Sequence, residues 1–294
     1  MKTSLSAFAR FMRIYCRSPQ AIVGLVCAVL VLLAAIFAPA LSPQNPYDLM
    51  QLDIMEGRLP PGEPAFAGFT FLLGSDSQGR DMLSAILYGL RISLIVGIGS
   101  AALAFVLGTL FGLAAAYIGG RTETVMMRLV DLQMSIPTIL SALLILALLG
   151  KSIGNVVLAI VIVEWATYAR TARGTALSQM RREYVEAAHA LRMGHRNIIL
   201  RQLLPNCISP LIVLLTMQIA RAITLEATLS FLGLGVPITE PSLGLLIANG
   251  YELMLSGTYW VSLFPGIALL ITIFSINLVG DRMRQILDPK AAQR

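Results

Sequence analysis

Four charged residues stand within or beside long apolar runs of this sequence, where an ionised side chain needs a special environment. They are Asp131, Glu164, Arg221 and Glu226. A charge at the centre of a bilayer costs roughly 2.5–3.5 kcal/mol on insertion scales, so such a residue faces a bundle interior, a water-filled cavity or a partner chain. Arg221 and Glu226 are five positions apart, which separates them by about 140° on a helix, and we do not expect them to pair. All four are candidates for lining a translocation path, with burial in structural pairs as the alternative.

Two of these residues have a second interpretation that depends on depth. Asp131 and Glu164 each fall near the predicted inner end of an apolar run. Long basic side chains reach the interface from such positions, so an ion pair with Arg128 or Arg170 at the membrane edge is the competing hypothesis.

The elements that must position these residues are transmembrane helices. Hydrophobic residues make up 56% of the 294 residues and charged residues only 13%, and the mean hydropathy is +0.77. A soluble domain cannot cover its surface with so few charges, which excludes a soluble enzyme and a disordered chain. Because about 20 apolar residues span the hydrocarbon core as an α-helix, we predict an all-α polytopic membrane protein. Its six predicted spans are 21–41, 92–117, 125–149, 152–169, 208–232 and 259–280.

The distribution of basic residues predicts the orientation. Most of the 22 Lys and Arg residues fall between alternate spans or near the two termini, and Lys and Arg favour the cytoplasmic side. The net charge of +6 therefore reflects membrane topology. We expect membrane lipid as a partner of the chain, and no nucleic acid. The predicted cytoplasmic segments are 1–20, 170–207 and 281–294, and the predicted periplasmic loops are 42–90 and 233–258.

The sequence predicts no cofactor or metal bound by this chain. Gly150-Lys151-Ser152 is similar to the end of a phosphate-binding loop, but Ile145 occupies the position of that loop's first glycine. If ATP is used, another chain must bind it. No nucleophile–base pair is visible in the spans, which favours a transport subunit over an enzyme. The three cysteines lack the spacing of metal ligands: Cys16, Cys27 and Cys207.

The predicted inner loop, residues 170–207, contains a short helix over 181–191 that Gly194 can end. A second apolar run follows and is expected to stop at Pro205, just before the fifth span. Small residues within the first helix allow a partner surface to approach closely. The residues alone leave two interpretations equally open, namely a docking element and an amphipathic connector on lipid headgroups.

Three segments together resemble a known family, the C-type permease subunits of bacterial dipeptide, oligopeptide and nickel ABC importers. The first is the block before the second predicted span, from Leu73-Gly74-Ser75-Asp76 to Arg91. The second is Glu186-Ala187-Ala188 followed by Leu204-Pro205-Asn206, which is similar to the EAA loop of importer permeases. The third is the run from Glu226 to Gly235 at the end of the fifth span.

This resemblance implies a type I ABC importer permease, with both termini in the cytoplasm of a bacterium and the chain in its inner membrane. It implies that Glu186, Ala187 and Ala188 dock onto a cytoplasmic ATPase and that Leu204 and Pro205 lead back to the membrane. The implied partners are a homologous second permease, two ATPase subunits that bind ATP and Mg²⁺, and a periplasmic or lipid-anchored binding protein. The implied cargo is a di- or oligopeptide, with nickel or another small solute as the alternative.

One position departs from the family pattern. Where the family usually has glycine, four residues after the second alanine of the EAA sequence, this chain has Arg192, and Gly194 follows two residues later. We expect a differently shaped turn, in which Arg192 can meet an acidic ATPase surface.

Overall fold

The structure is a computed structural model that describes residues 14–48, 50 and 52–287, without the side chains of His189 and Leu255. The first 13 residues of the predicted N-terminal segment and residues 288–294 of the predicted tail lie outside the described residues. Across the described ranges the regular structure is helical, and the only β-type pairing is two isolated bridges in the loop before the second span.

Among the described residues, five single helices are long and apolar enough to cross a membrane. A bent pair of helices, counted as one span, is the sixth, in agreement with the prediction of six spans. In chain order the helices are α1 (Pro19–Ile36), α2 (Ala38–Leu41), α3 (Met82–Ile118), α4 (Gly120–Ser135), α5 (Thr138–Leu149), α6 (Ile153–Met180), α7 (Glu183–Ala190), α8 (His195–Phe231), α9 (Leu243–Tyr251) and α10 (Trp260–Leu287).

The third predicted span, residues 125–149, is not one straight helix. It consists of the C-terminal part of α4 and all of α5, which meet at an angle of 89°. Pro137 explains the break, because proline disfavours the α conformation of the residue before it and lacks the N–H of a helical turn. Ile136 accordingly adopts an extended conformation, with φ −93° and ψ 133°.

Helices α3 and α6 form the centre of the bundle through close backbone contact. Gly108 and Gly112 of α3 face α6, and a Cβ atom at either position would collide with the backbone carbonyl of Trp165 or Ala169. Small residues at this spacing let two helices approach each other. The Gly108–Gly112 spacing therefore allows a close helix–helix contact within this chain.

The face that carries residues 42–81 is called the outer face, and the face that carries 181–197 the inner face. The outer loop is folded rather than extended, and α3 begins at Met82, inside the loop predicted to reach residue 90. The Asp81 carboxylate accepts from the backbone N–H of Ser84 at 2.7 Å and caps α3. The indole N–H of Trp260 donates to the carbonyl of Ser75 at 3.2 Å, which fixes the loop on α10.

Asp76 in this loop is used for a turn. Its Oδ1 accepts from the backbone N–H groups of Gln78 and Arg80, at 2.7 and 2.9 Å. Burial raises the pKa of Asp76 above its usual range, while these two backbone donors act in the opposite direction. The arrangement matches an Asx turn, a local alternative to regular backbone pairing.

The fifth and fourth spans both continue beyond their predicted ends toward the inner face. Helix α6 extends to Met180, into the segment predicted as loop. Helix α8 runs without a break from His195 to Phe231, so the expectation that the apolar run stops at Pro205 is wrong. A wide π turn over Ile198–Leu203 precedes Pro205; the wider turn accommodates a ring that would press on a carbonyl in an α-helix.

Candidate functional site

The residues singled out in the sequence lie in two places, on the inner-face helix α7 and in the middle of the bundle. Val185 and Ala188 of α7 are buried against Ile198 and Leu203, which belong to the π turn of α8. Glu186, between them in sequence, is exposed. Helix α7 therefore has one face attached to α8 and another face open.

This division separates the three residues of the EAA sequence. Glu186 and Ala187 lie on the open face of α7, whereas Ala188 is 3% exposed and belongs to the packed face. Leu204 also packs inside the chain, and Pro205 is exposed beside it. The side chains available to a partner on α7 therefore include Glu186 and Ala187 but not Ala188.

The turn after α7 is made by Arg192. Its φ is +52°, a left-handed conformation that costs an L-residue about 1–2 kcal/mol relative to the right-handed one. The Met193 N–H donates to the Ala188 carbonyl at 3.1 Å, the closing hydrogen bond of a Schellman motif. Gly194 has φ −59° and precedes the first turn of α8, so it does not end α7 as expected. The altered turn predicted from Arg192 is thus a strained version of the usual glycine turn.

Two further contacts attach the inner-face elements to the bundle, and no sequence pattern predicts either of them. The Tyr117 hydroxyl at the end of α3 lies 2.6 Å from Nδ1 of His195, where α8 begins. The Tyr184 hydroxyl of α7 donates to the Gln179 side chain of α6 at 3.0 Å. These pairs involve residues with no distinctive spacing, and only the folded arrangement brings them together.

Asp131 forms the edge ion pair that was its alternative interpretation. Its carboxylate lies 2.6 Å from the Arg170 guanidinium, so α4 is joined to α6 near the inner face. A second pair of the same two helices joins Glu123 and Arg173, also at 2.6 Å. The Asp131–Arg170 side chains are about half exposed, and pairs of this kind contribute about 0–1 kcal/mol in water.

Glu226 is enclosed within the chain. It is 0% exposed, and its carboxylate accepts from the hydroxyls of Ser93 and Ser230, each at 2.8 Å. The Ser242 side chain, just before α9, lies beside the same carboxylate. The carboxylate therefore joins α3 to α8 close to the start of α9.

Glu164 and Arg221 share a polar pocket at the break between α4 and α5. Glu164 is 3% exposed, while Arg221 is exposed in the isolated chain. Among the described side chains, no ion pair within 4.0 Å joins them. The pocket has a volume of about 140 Å³. Its walls are formed by Gln133, Met134, Ile136, Thr138, Val163, Glu164, Thr167, Gln218 and Arg221.

A larger chamber of about 600 Å³ opens at the outer face. Its charged lining comes from three segments far apart in sequence, and the outer end of α8 closes one side. The charged residues are Arg58, Lys151 and Glu252. Nothing in the sequence predicts this chamber, because loops and helix ends assemble it.

Comparisons with known proteins place this architecture in a family. The family profile described as binding-protein-dependent transport system inner membrane component matches residues 104–293. A second profile, the N-terminal TM domain of oligopeptide transport permease C, matches residues 6–61. A methionine ABC transporter in an inward-facing conformation shares the fold, with a TM-score of 0.58 and 19% sequence identity over 70% of this chain and 97% of that chain.

Curated relatives are similar over nearly the whole chain. The di/tripeptide transport system permease protein of Pseudomonas aeruginosa is 34% identical, covering 97% of this chain and 93% of its own. A putative peptide transport system permease protein of Brucella suis is 39% identical, covering 91% and 87%. The oligopeptide transport system permease protein of Bacillus subtilis is 34% identical, covering 98% and 92%. This chain therefore belongs to the family of inner-membrane components of binding-protein-dependent transport systems, as a multi-pass ABC permease subunit whose ATP hydrolysis takes place in separate subunits.

Proposed function

We propose that this chain and a homologous second permease form the path through which an ABC importer moves di- and oligopeptides. The relatives described above are peptide permeases by name, and this supports a peptide cargo over nickel or another small solute. A periplasmic or lipid-anchored binding protein delivers the peptide at the outer face. Two ATPase subunits bind ATP and Mg²⁺ at the inner face.

The attachment of α7 to α8 is the observation that carries this proposal. Val185 and Ala188 pack on Ile198 and Leu203, and the same unbroken helix carries Arg221 into the bundle. A partner that moves the open face of α7 therefore also moves α8. We infer that Glu186 and Ala187 contact the ATPase, that Ala188, Leu204 and Pro205 hold the connection, and that Arg192 shapes its turn.

The exposed polar residues of α8 support a shared path. Arg221 and Thr224 lie one turn apart and are exposed in the isolated chain, and a guanidinium cannot face lipid at this depth without large cost. In the proposed complex the second permease covers this face of α8, and water between the two chains hydrates the side chains of Arg221 and Thr224. Glu164 joins Arg221 on this path, Asp131 lies at its inner edge, and Glu226 fixes the helices that form its wall.

Co-expression with the neighbouring genes provides the test. The tagged chain is purified from membranes, its partners are identified by mass spectrometry, and the complex is reconstituted into liposomes with ATP inside. We expect a second permease and two ATPases, and peptide uptake that requires ATP and the loaded binding protein. Uptake of radioactive nickel instead of peptide would transfer the proposal to a metal cargo, and purification without an ATPase would contradict it.

The Glu186→Lys variant tests the docking step in the same preparation. Charge reversal on the open face of α7 is expected to abolish uptake and ATPase recovery while membrane insertion stays normal. Asp281→Lys reverses an exposed charge near the inner end of α10 and serves as the matched control. Equal uptake by Glu186→Lys and wild type would show that the ATPase docks elsewhere.

A further inference from the structure

Glu164 is a buried carboxyl group without a partner. Both of its oxygens are enclosed, and neither has a hydrogen-bond partner among the described residues. A buried polar group without a partner costs about 1–3 kcal/mol, and more if it is charged. Glu226 of the same bundle accepts hydrogen bonds from serine hydroxyls. The fold thus satisfies one buried carboxyl group and leaves the other, whose residue belongs to a pocket wall, without a hydrogen bond.

The surroundings of Glu164 favour a cationic, hydrogen-bonding ligand. Besides Glu164, the polar residues that line the pocket include Thr138, Thr167 and Gln218, and its charged lining includes Arg221. Among the described residues no cluster of three or more His, Cys, Asp or Glu side chains could hold a metal ion. The volume of about 140 Å³ suits an amino-terminal group rather than a whole oligopeptide.

The position of the pocket links it to the path. It lies where the chain breaks at Ile136, and broken helices near the middle of a membrane are common sites of substrate binding in transporters. Helix α8 forms one wall of the pocket and carries Arg221, which is exposed in the isolated chain. In the proposed complex the second permease covers this side of α8. A peptide passing along α8 therefore meets this pocket.

We propose that this pocket binds the α-ammonium group of the peptide in transit. Glu164 accepts hydrogen bonds from the ammonium group, Thr167 and Gln218 complete its hydrogen bonding, and Arg221 donates to an oxygen of the peptide backbone. This inference rests on the proposed function and specifies the group of the substrate that the permease itself contacts. Peptides with a blocked amino terminus lack the charge that the pocket requires.

Protection from chemical labelling tests this binding without the binding protein. A Met134→Cys variant, which changes a residue of the pocket wall that has no role in the proposed hydrogen bonding, is incorporated with its partner permease and ATPases into lipid nanodiscs, where reagent and peptide reach both faces. The rate of N-ethylmaleimide labelling at position 134 is followed by mass spectrometry, which separates it from labelling of the natural cysteines. Alanyl-alanine and N-acetyl-alanyl-alanine, at equal millimolar concentrations, are the two probes.

We expect alanyl-alanine to slow labelling at position 134 at least fivefold and the acetylated peptide to leave it unchanged. Adding Glu164→Gln should remove the protection, because a neutral amide loses a charge-assisted hydrogen bond. Glu123→Gln is the matched control, since it changes a glutamate of the α4–α6 contact outside the pocket, and protection should remain.

Three results would overturn the inference: equal protection by both peptides, no protection by either, or protection that survives Glu164→Gln. The proposed function is measured separately, as ATP-dependent peptide uptake by the wild-type complex with its loaded binding protein. Uptake without protection would reject the ammonium site and keep the importer. Absence of uptake by the wild type would reject the importer itself.

Discussion

Ser93 of α3 donates a hydrogen bond of 2.8 Å to the carboxylate of Glu226 in α8, although 133 positions separate them in the chain. The same carboxylate accepts from Ser230 at 2.8 Å. Hydrogen bonds between side chains in a membrane contribute about 0.6 kcal/mol each on average, so the contribution of Glu226 to the stability of the bundle depends on how many such bonds it accepts. Its place at the junction of three elements makes it a structural residue of the outer half of the bundle.

Replacing Glu226 should therefore weaken the fold before it affects any substrate contact. Glu226→Ala loses two hydrogen bonds, from Ser93 and Ser230, and we expect the purified complex to lose about 1 kcal/mol of stability. Unfolding by a denaturing detergent measures this loss. Thr228→Ala is the control, because the Thr228 hydroxyl bonds only to the backbone of its own helix. Comparable stability of the two variants would contradict the structural role.

Ala187 and Ala188 should respond in opposite ways to enlargement. Ala188→Leu pushes a larger side chain into the contact with Leu203, and overpacking of this kind costs about 1–3 kcal/mol. We expect faster proteolysis of the inner loop in this variant. Ala187→Leu adds the same volume on the open face of α7, so proteolysis should stay at the wild-type rate while ATPase recovery falls. The reverse pattern would mean that α7 is rotated about its axis.

Arg192 offers a variant that should stabilise the inner loop. Arg192→Gly removes the cost of a left-handed side-chain residue, and we expect the turn after α7 to gain about 1 kcal/mol. Hydrogen exchange of α7 should slow accordingly. Arg192→Ala also removes the charge but retains a Cβ atom, so it separates backbone strain from electrostatics. Equal exchange in the glycine and alanine variants would place the effect in the charge.

The α3–α6 contact should tolerate no added atom at Gly112. A methyl group there meets the backbone of Ala169, which cannot move without separating the helices. We expect Gly112→Ala to lower stability by about 1–3 kcal/mol. Gly99→Ala, on the same helix, meets nothing within 4 Å and should be neutral or slightly stabilising, since alanine favours helix. Thermal inactivation of the purified complex distinguishes them.

The six spans could be predicted because apolar length is a property of the sequence itself. The 89° bend between α4 and α5 could not be predicted, because hydropathy says how apolar a segment is and not where its helix axis points. Pro137 marks only the position of the bend. Likewise Glu164 and Arg221 are visible as costly charges, but their common pocket depends on how α6 packs beside α8. The family pattern identified Arg192 as a departure from glycine, but it could not indicate that the chain keeps a left-handed turn there with a side chain in place, at φ +52°.

The inner and outer ends of α8 belong to one continuous helix. Its 37 residues extend about 56 Å at 1.5 Å per residue, so a tilt of about 10° displaces one end relative to the other by roughly 10 Å. The segment that packs on α7 forms one end of this helix, and Phe231 at the wall of the outer chamber forms the other. When α8 tilts as a unit, a modest rotation at its inner-face end therefore moves the wall of the chamber at the outer face.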